Sequence, residues 1–334
     1  MQFNHTSKTL KTLLLSIFLV ALLNNATAQT MNAQQIFLNS PTVDSSVVQP
    51  ATTESQNKSG RKWIAGGITF AGMGGSLLLL TKINNYDYQK DFHTLNDPKV
   101  WLQLDKNEHA FLSYTTTRLL AGMGEWAGYP VQKSVLIGSA ASLLYLTTKE
   151  YLDGHQTYWG WSWTDMGANL FGTTLFAAQE LGWHEQKIQL KFSALAKNYK
   201  PDLDARADIL FGNRVPERIL KDYNAQTYWL SFNLKTISTS QKLPDWLNLA
   251  VGYGASNLYG PYDNLGYSNG EITFDRSDLK RYRQWYLSPD IDLTKIKTKR
   301  RGVKTLLFAL NAVKVPLPAL ELSNKKLKGH VLHF

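Results

Sequence analysis

"KEYLDGHQTYWGWSWTDMGAN", residues 149–169, packs three carboxylates (Glu150, Asp153, Asp165), His155 and the aromatics Tyr158, Trp159, Trp161 and Trp163 into one connection. The runs on either side, 134–148 and 166–179, carry no charge. Both are moderately apolar on all sides, as expected of helices buried against one another or half-buried in lipid. The segment is therefore a polar link between two apolar helices, predicted over 133–153 and 164–180. Gly154 is placed to end the first of them.

Two more helices are predicted upstream, over 63–81 and 105–126. In the first, Gly67, Ala71 and Gly75 recur every four residues, as do Gly138 and Ser142 in the third, spacings that let another helix approach closely. The connections at 128–130 and 154–163 are short, so successive helices run antiparallel. The second helix then begins, the third ends and the fourth begins at one pole of the bundle. Asp105 and His109 (i, i+4), Glu150 and Asp153 (i, i+3), and Asp165 and Asn169 (i, i+4) converge there.

Some of these acids have simple structural roles. Asp105 with Glu108 has the spacing of a capping box, and Asp165 complements a helix dipole whose cap is Ser162 or Thr164. Glu150 and Asp153 face the negative end of a dipole and call for a cation: a protonated His109, Arg118, or a metal. Three chemistries fit. Asp105, Glu150, Asp153 and Asp165 suit a hard cation, and His109 extends the set toward zinc or iron, although no H-E-x-x-H is present. His109 as general base with Glu150 and Asp165 suits a hydrolase or transferase acting on a lipid or envelope-glycan substrate. A buried network that only ties the helices together is the third. No Gly-rich phosphate loop and no G-x-S-x-G elbow occurs.

Beyond residue 183 the apolar period changes from helical to two. Residues 188–194, 228–234, 247–254 and 284–293 alternate as strands with one apolar face, and 306–313 and 328–334 are read as further strands. The closing Gly329-His330-Val331-Leu332-His333-Phe334 resembles the terminal-strand signal of outer-membrane β-barrels. A membrane barrel and a soluble sheet packed on the helices both remain open. "KIKTKRRGVK", residues 295–304, reads as a basic hairpin-like turn able to touch phosphate headgroups.

The front of the chain addresses it for export. Lys8 and Lys11 precede an apolar run at 13–23, and Ala26-Thr27-Ala28 offers a small-residue cleavage site before Gln29. There is no cysteine, so neither a disulfide nor a thiol-linked lipid is expected. Residues 29–60 are Gln, Ser, Thr and Asn-rich and read as a disordered tether. The formal charge is +10, with 19% charged residues, 10 Trp and 16 Tyr. In an exported chain this balance points to a membrane lipid or envelope surface as partner and away from nucleic acid.

Asp105-Lys106-x-x-His109, Lys149-Glu150-x-x-Asp153-Gly154 and Ser162-x-x-Asp165-x-x-x-Asn169-x-x-Gly172 together resemble the YfiM-type family of predicted periplasmic lipoproteins of unknown function. They are more distantly similar to the VanZ-like membrane proteins. Lys221-Asp222-Tyr223-Asn224 and residues 286–292 resemble envelope members of the first group. The resemblance implies an envelope protein sharing Asp105, His109, Glu150, Asp165 and Asn169, and it implies no reaction or cofactor. The missing cysteine departs from the lipoprotein label.

The expectation is an exported α+β protein of the outer membrane or periplasm. A leader (1–28) and tether (29–60) precede a four-helix membrane-associated bundle (61–183) and an antiparallel β-sheet or small β-barrel (184–334). Its polar cluster comprises Asp105, Lys106, His109, Arg118, Glu150, Asp153, Asp165 and Asn169.

Overall fold

The computed structural model describes residues 51–83, 91–157, 159–238, 242–268 and 270–334, so the leader and residues 29–50 of the tether lie outside the described residues. Four helices come first: α1 (Ala51–Ile83), α2 (Leu104–Trp126), α3 (Val131–Asp153) and α4 (Trp163–Trp183). The first begins inside the segment expected to be a tether. No helix among the described residues is long and apolar enough to cross a membrane.

The close bundle is α2, α3 and α4. Its core includes Tyr114, Ala121, Val135 and Phe176. Glycines set the spacing: a Cβ on Gly172 would lie 2.0 Å from the Ala110 carbonyl oxygen, and one on Gly138 2.7 Å from the Ala121 nitrogen. Ser142, fully buried, accordingly reaches the Ser113 carbonyl at 3.4 Å. The matching pattern in α1 has no such role, because a Cβ on Gly67 or Gly75 meets nothing within 4 Å. Instead α1 touches the bundle through Ala65, packed with Met123 and Ala127, and through a 2.9 Å contact between Ser76 and Tyr145 hydroxyls.

The rest of the chain builds β1 (Ile188–Ala194), α5 (Pro201–Phe211), α6 (Val215–Lys221), β2 (Gln226–Asn233), α7 (Leu234–Ile237) and β3 (Leu247–Ser256). A hairpin of β4 (Leu265–Ser268) and β5 (Glu271–Asp275) follows, then β6 (Tyr282–Ile291), α8 (Arg301–Leu310), β7 (Leu317–Ser323) and β8 (Lys326–His333). Six strands form one antiparallel sheet in the order β1-β2-β3-β6-β7-β8. Residues 301–310, expected in part to be a strand, are helical, because Val303, Leu306 and Leu310 fall at i, i+3 and i+7.

The sheet curls. His333 of β8 lies 3.3 Å from the Thr227 hydroxyl of β2, with three strands between them in the sheet order, and Val313 bridges to Phe192 on the edge strand β1. Its inner face buries polar groups beside a small apolar cluster of Trp229, Ala250, Tyr286 and Ala319: Lys191 and Asp290, both fully buried, pair at 2.7 Å, and Ser231 donates to Asp290 at 2.7 Å. Its outer face is apolar. Over β1 and β2 that face packs on α2, with the Phe111 ring 5.7 Å from Phe192 and 6.2 Å from Tyr228. Over β6 to β8 it is bare, with Trp285, Leu320, Leu322 and Val331 exposed. The alternation was legible, but its sense is the reverse of a soluble sheet's on this side.

Two outcomes test this packing. Gly172→Ala and Gly138→Ala each force helices apart, and each is expected to lower stability in thermal melts by about 1–3 kcal/mol, the range for overpacked interiors. Burial and the neighbouring His330 and Lys314 push His333 down to about 4. An unfolded His333 takes up its proton near pH 6.5 while the folded one resists until about pH 4, so stability falls as pH drops through that window. His333→Gln is expected to flatten that part of a stability-versus-pH curve relative to wild type.

Candidate polar pole of the bundle

A strap of chain, residues 91–99, crosses the connection between α3 and α4. His93 and Leu95 donate backbone hydrogen bonds to Gly154 and Trp161, and Trp161 donates back to His93 at 3.0 Å. Gly154 caps α3 in a right-handed conformation, and glycine is required for space: a Cβ would sit 2.5 Å from the Phe92 ring. The strap delivers Asp97, 5% exposed, which accepts from Ser162 at 2.6 Å and Thr164 at 2.8 Å. Ser162 in turn caps α4 by accepting from the Asp165 amide at 3.1 Å.

At the start of α2, Trp101, Leu102 and Gln103 all adopt left-handed φ angles (47°, 51° and 69°), each costing about 1–2 kcal/mol in an L-residue. Contacts hold the turn: Trp101 donates to the Pro261 carbonyl at 2.8 Å, and Tyr253 to the Leu102 carbonyl. This turn aims Asp105 at the pole. The capping box is not formed, since Gln103 precedes the helix and makes no side-chain cap. Asp105 and Glu108 instead face Tyr223, whose hydroxyl lies 3.4 Å and 2.7 Å from them.

Lys106 is the hub. Its ammonium lies 2.6 Å from Asp97, 2.7 Å from Asp105 Oδ2 and 2.6 Å from Asp165 Oδ1. The contact to Asp165 is held by charge rather than by an aligned hydrogen bond. The other oxygens of Asp105 and Asp165 turn to His109 Nε2, at 4.0 Å and 3.7 Å, beyond hydrogen-bond length. His109 Nδ1 faces the Asn169 carbonyl oxygen at 3.2 Å, with Glu150 3.8 Å away. Asn169 thus holds the proton on Nδ1 and leaves Nε2 toward the carboxylates. Lys149 offsets the acids at the end of α3, 3.2 Å from Glu150 and 2.8 Å from Asp153.

Burial raises the Asp165 carboxyl to about 6, against the opposing pull of His109 and Lys106. Burial alone would lower His109, but Asp165, Asp105 and Glu150 outweigh it and push the imidazole up. Asp105 ends below its ordinary value, because His109 and Lys106 overcome its burial. Burial raises Glu108, with Tyr223 opposing.

The expected convergence holds for Asp105, Lys106, His109, Glu150, Asp165 and Asn169, with Asp153 joined through Lys149. Arg118 does not belong to it. Nine residues along α2 is some 13 Å of rise, and its guanidinium sits 4.1 Å over the Phe308 ring instead. The cations offsetting the α3 acids are Lys149 and His109. Asp97, Glu108, Lys149 and Tyr223 were not expected in the site. Lys149 and Tyr223 stand inside motifs already visible in the sequence, whereas Asp97 has no local signal. Of the aromatics, His155 packs on Phe92 and Tyr151, Trp159 and Trp163 are exposed, and Tyr158 lies outside the described residues.

An antiparallel sheet beside a helical bundle with a buried polar pole defines the class as α+β. Residues 96–179 match the model of a family described as "predicted periplasmic lipoprotein (DUF2279)". The resemblance to periplasmic lipoproteins of unknown function is borne out over this stretch, which holds α2, α3, most of α4 and every polar-pole residue except Tyr223. The description agrees with export to the periplasm or outer membrane. The lipid does not carry over, as this sequence has no cysteine to accept it. No curated protein and no solved structure matches the chain.

Lys106→Met would leave three carboxylates buried together without their cation. The expected cost is about 3–5 kcal/mol, read as a lowered melting temperature, with Asp97→Asn partly restoring it.

Proposed function

We propose that this is a cell-envelope protein whose bundle pole binds a divalent cation. One observation carries the reading: single donor atoms of Asp105, His109 and Asp165 all lie within 4.8 Å of one another. Ligands of a small cation bound at about 2.1 Å stand some 3–3.5 Å apart, so binding would draw the three side chains together by up to about 1.3 Å. The imidazole is also held as a ligand should be, with Nδ1 fixed by Asn169 and Nε2 presented inward.

Charge supports the same reading. Asp97, Asp105, Glu108, Glu150, Asp153 and Asp165 outnumber Lys106, Lys149 and His109, and buried carboxylates in excess call for a further cation. One nitrogen and two carboxylates suit Zn²⁺, Mn²⁺ or Fe²⁺ better than Ca²⁺, which prefers oxygen alone. Binding would join α2 to α4 and displace the proton from His109. The rival reading, a hydrolase or transferase with His109 as base beside Glu150 and Asp165, receives no support from the comparisons.

We also propose that the outward apolar side chains seat the protein against lipid. Trp63, Phe70, Leu136, Leu144, Leu170 and Phe171 on the bundle, and the bare face of β6 to β8, are exposed in support of this.

Elemental analysis and metal titration followed by thermal melting test the cation site. Zn²⁺ or Mn²⁺ at a hundred times its Kd is expected to stabilise the wild type by about 2.7 kcal/mol. His109→Ala and Asp165→Asn are expected to abolish that gain. A wild type that purifies metal-free and gains no stability from Mg²⁺, Ca²⁺, Mn²⁺, Fe²⁺ or Zn²⁺ would sink the proposal.

A further inference from the structure

We infer that α8 and the basic segment leading into it form a docking surface for an anionic, phosphate-bearing lipid membrane. The inference rests on the lipid seat proposed above and is independent of the cation site.

Three observations meet here. First, α8 buries none of its ten residues. A helix this short is marginal alone in water, so an apolar partner is wanted for its outer face. Phe308 turns inward, under Arg118 and 3.5 Å from the position of a Cβ on Gly122, and Thr305, Leu307 and Ala309 are half-buried with it. Second, that outer face is a stripe: Val303, Leu306 and Leu310 are 38%, 47% and 43% exposed, at i, i+3 and i+7, and Val313 beyond them is 49% exposed. Third, Lys297, Lys299, Arg300, Arg301 and Lys304 are all exposed, and none of them forms an ion pair among the described residues. Lys295, by contrast, is engaged with Glu185 at 2.5 Å.

A cationic entry followed by a narrow apolar stripe is the pattern of a helix lying in a membrane interface, its apolar side chains reaching the acyl boundary and its cations on headgroup phosphates. Each cation near an anionic leaflet adds to binding, so five of one sign in eight residues favour that surface strongly. Three or four side chains bury too little area for a stable protein interface. Just upstream, Ile296 and Lys297 line a groove of about 510 Å³ with Pro244, Trp246 and Ile291, a largely apolar recess whose charged lining is Lys295, Lys297 and Asp245. A Trp at such a boundary suits the lipid headgroup region.

Sedimentation with vesicles tests the assignment, using pure phosphatidylcholine and phosphatidylcholine with about one-third phosphatidylglycerol, where each cation counts. The full mature chain is expected to bind the anionic vesicles and to be released by salt. Arg300→Gln, Arg301→Gln and Lys304→Gln combined are expected to weaken that binding on the order of 100-fold. Leu306→Asp with Leu310→Asp is expected to abolish it. Both variants alter exposed side chains, and an unchanged melting temperature confirms that they fold. Equal binding to neutral vesicles, or variants that bind like wild type, would overturn the assignment to α8 while leaving the lipid seat standing on its other faces. A wild type that binds neither vesicle overturns both.

Discussion

Lys106 shares one ammonium among Asp97, Asp105 and Asp165, and through them joins the strap before α2, the first turn of α2 and the first turn of α4. Three carboxylates cannot be brought this close in a poorly solvated site without such a charge. The ammonium therefore fixes more than electrostatics. It draws the strap over the 154–163 connection, where backbone hydrogen bonds from His93 and Leu95 complete the contact. It also leaves the second oxygens of Asp105 and Asp165 turned toward His109. The left-handed turn at Trp101, Leu102 and Gln103 is held by contacts from the sheet side, so the pole is where the two halves of the molecule meet.

That hub is compatible with the proposed cation site, although the cluster already holds two lysines. Lys106 satisfies one side of each carboxylate and cannot reach Nε2 of His109, which Asn169 holds in place from behind. The result is a divided cluster: an internal cation on one flank, and two oxygens with one nitrogen on the other. A purely structural network would gain most from direct hydrogen bonds between His109 and the aspartates. Separations of 3.7 Å and 4.0 Å forgo them. The same charges that make the pole costly to bury would favour the proposed cation.

The four helices and the meeting of their ends were legible because period, uncharged runs and short connections are local signals, and short connections leave antiparallel packing as the simple outcome. Asp105, His109, Glu150, Asp165 and Asn169 followed from that geometry alone. Asp97 did not, because a strap residue is recruited by tertiary hydrogen bonds with no periodic mark. Arg118 was misplaced because a favourable charge was matched to nearby acids without counting rise along the helix. Residues 306–313 looked like a strand because an apolar octamer suits either period, and only the exposed stripe of Val303, Leu306 and Leu310 separates them. The small-residue pattern of α1 matched that of α3, yet only α3 has a helix against it.

Beside their apolar cores, both halves of the molecule bury a polar cluster, and both expose large apolar side chains. In the bundle the polar cluster is that of Lys106; in the sheet it is the Lys191–Asp290 pair with Ser231 and Asn248, all fully buried. Outside stand Phe70 at 82% exposure and Val331 at 86%. In water this arrangement is doubly unfavourable, since it desolvates charge and wets large apolar side chains. Against lipid both costs fall together: the outer face finds an apolar medium, and the inner groups find one another. No described helix has to cross a bilayer for this to hold. The proposed seat at a lipid interface would need an apolar outer face, a self-satisfied polar interior and cations at the headgroup level, and the basic segment before α8 would supply the third of these.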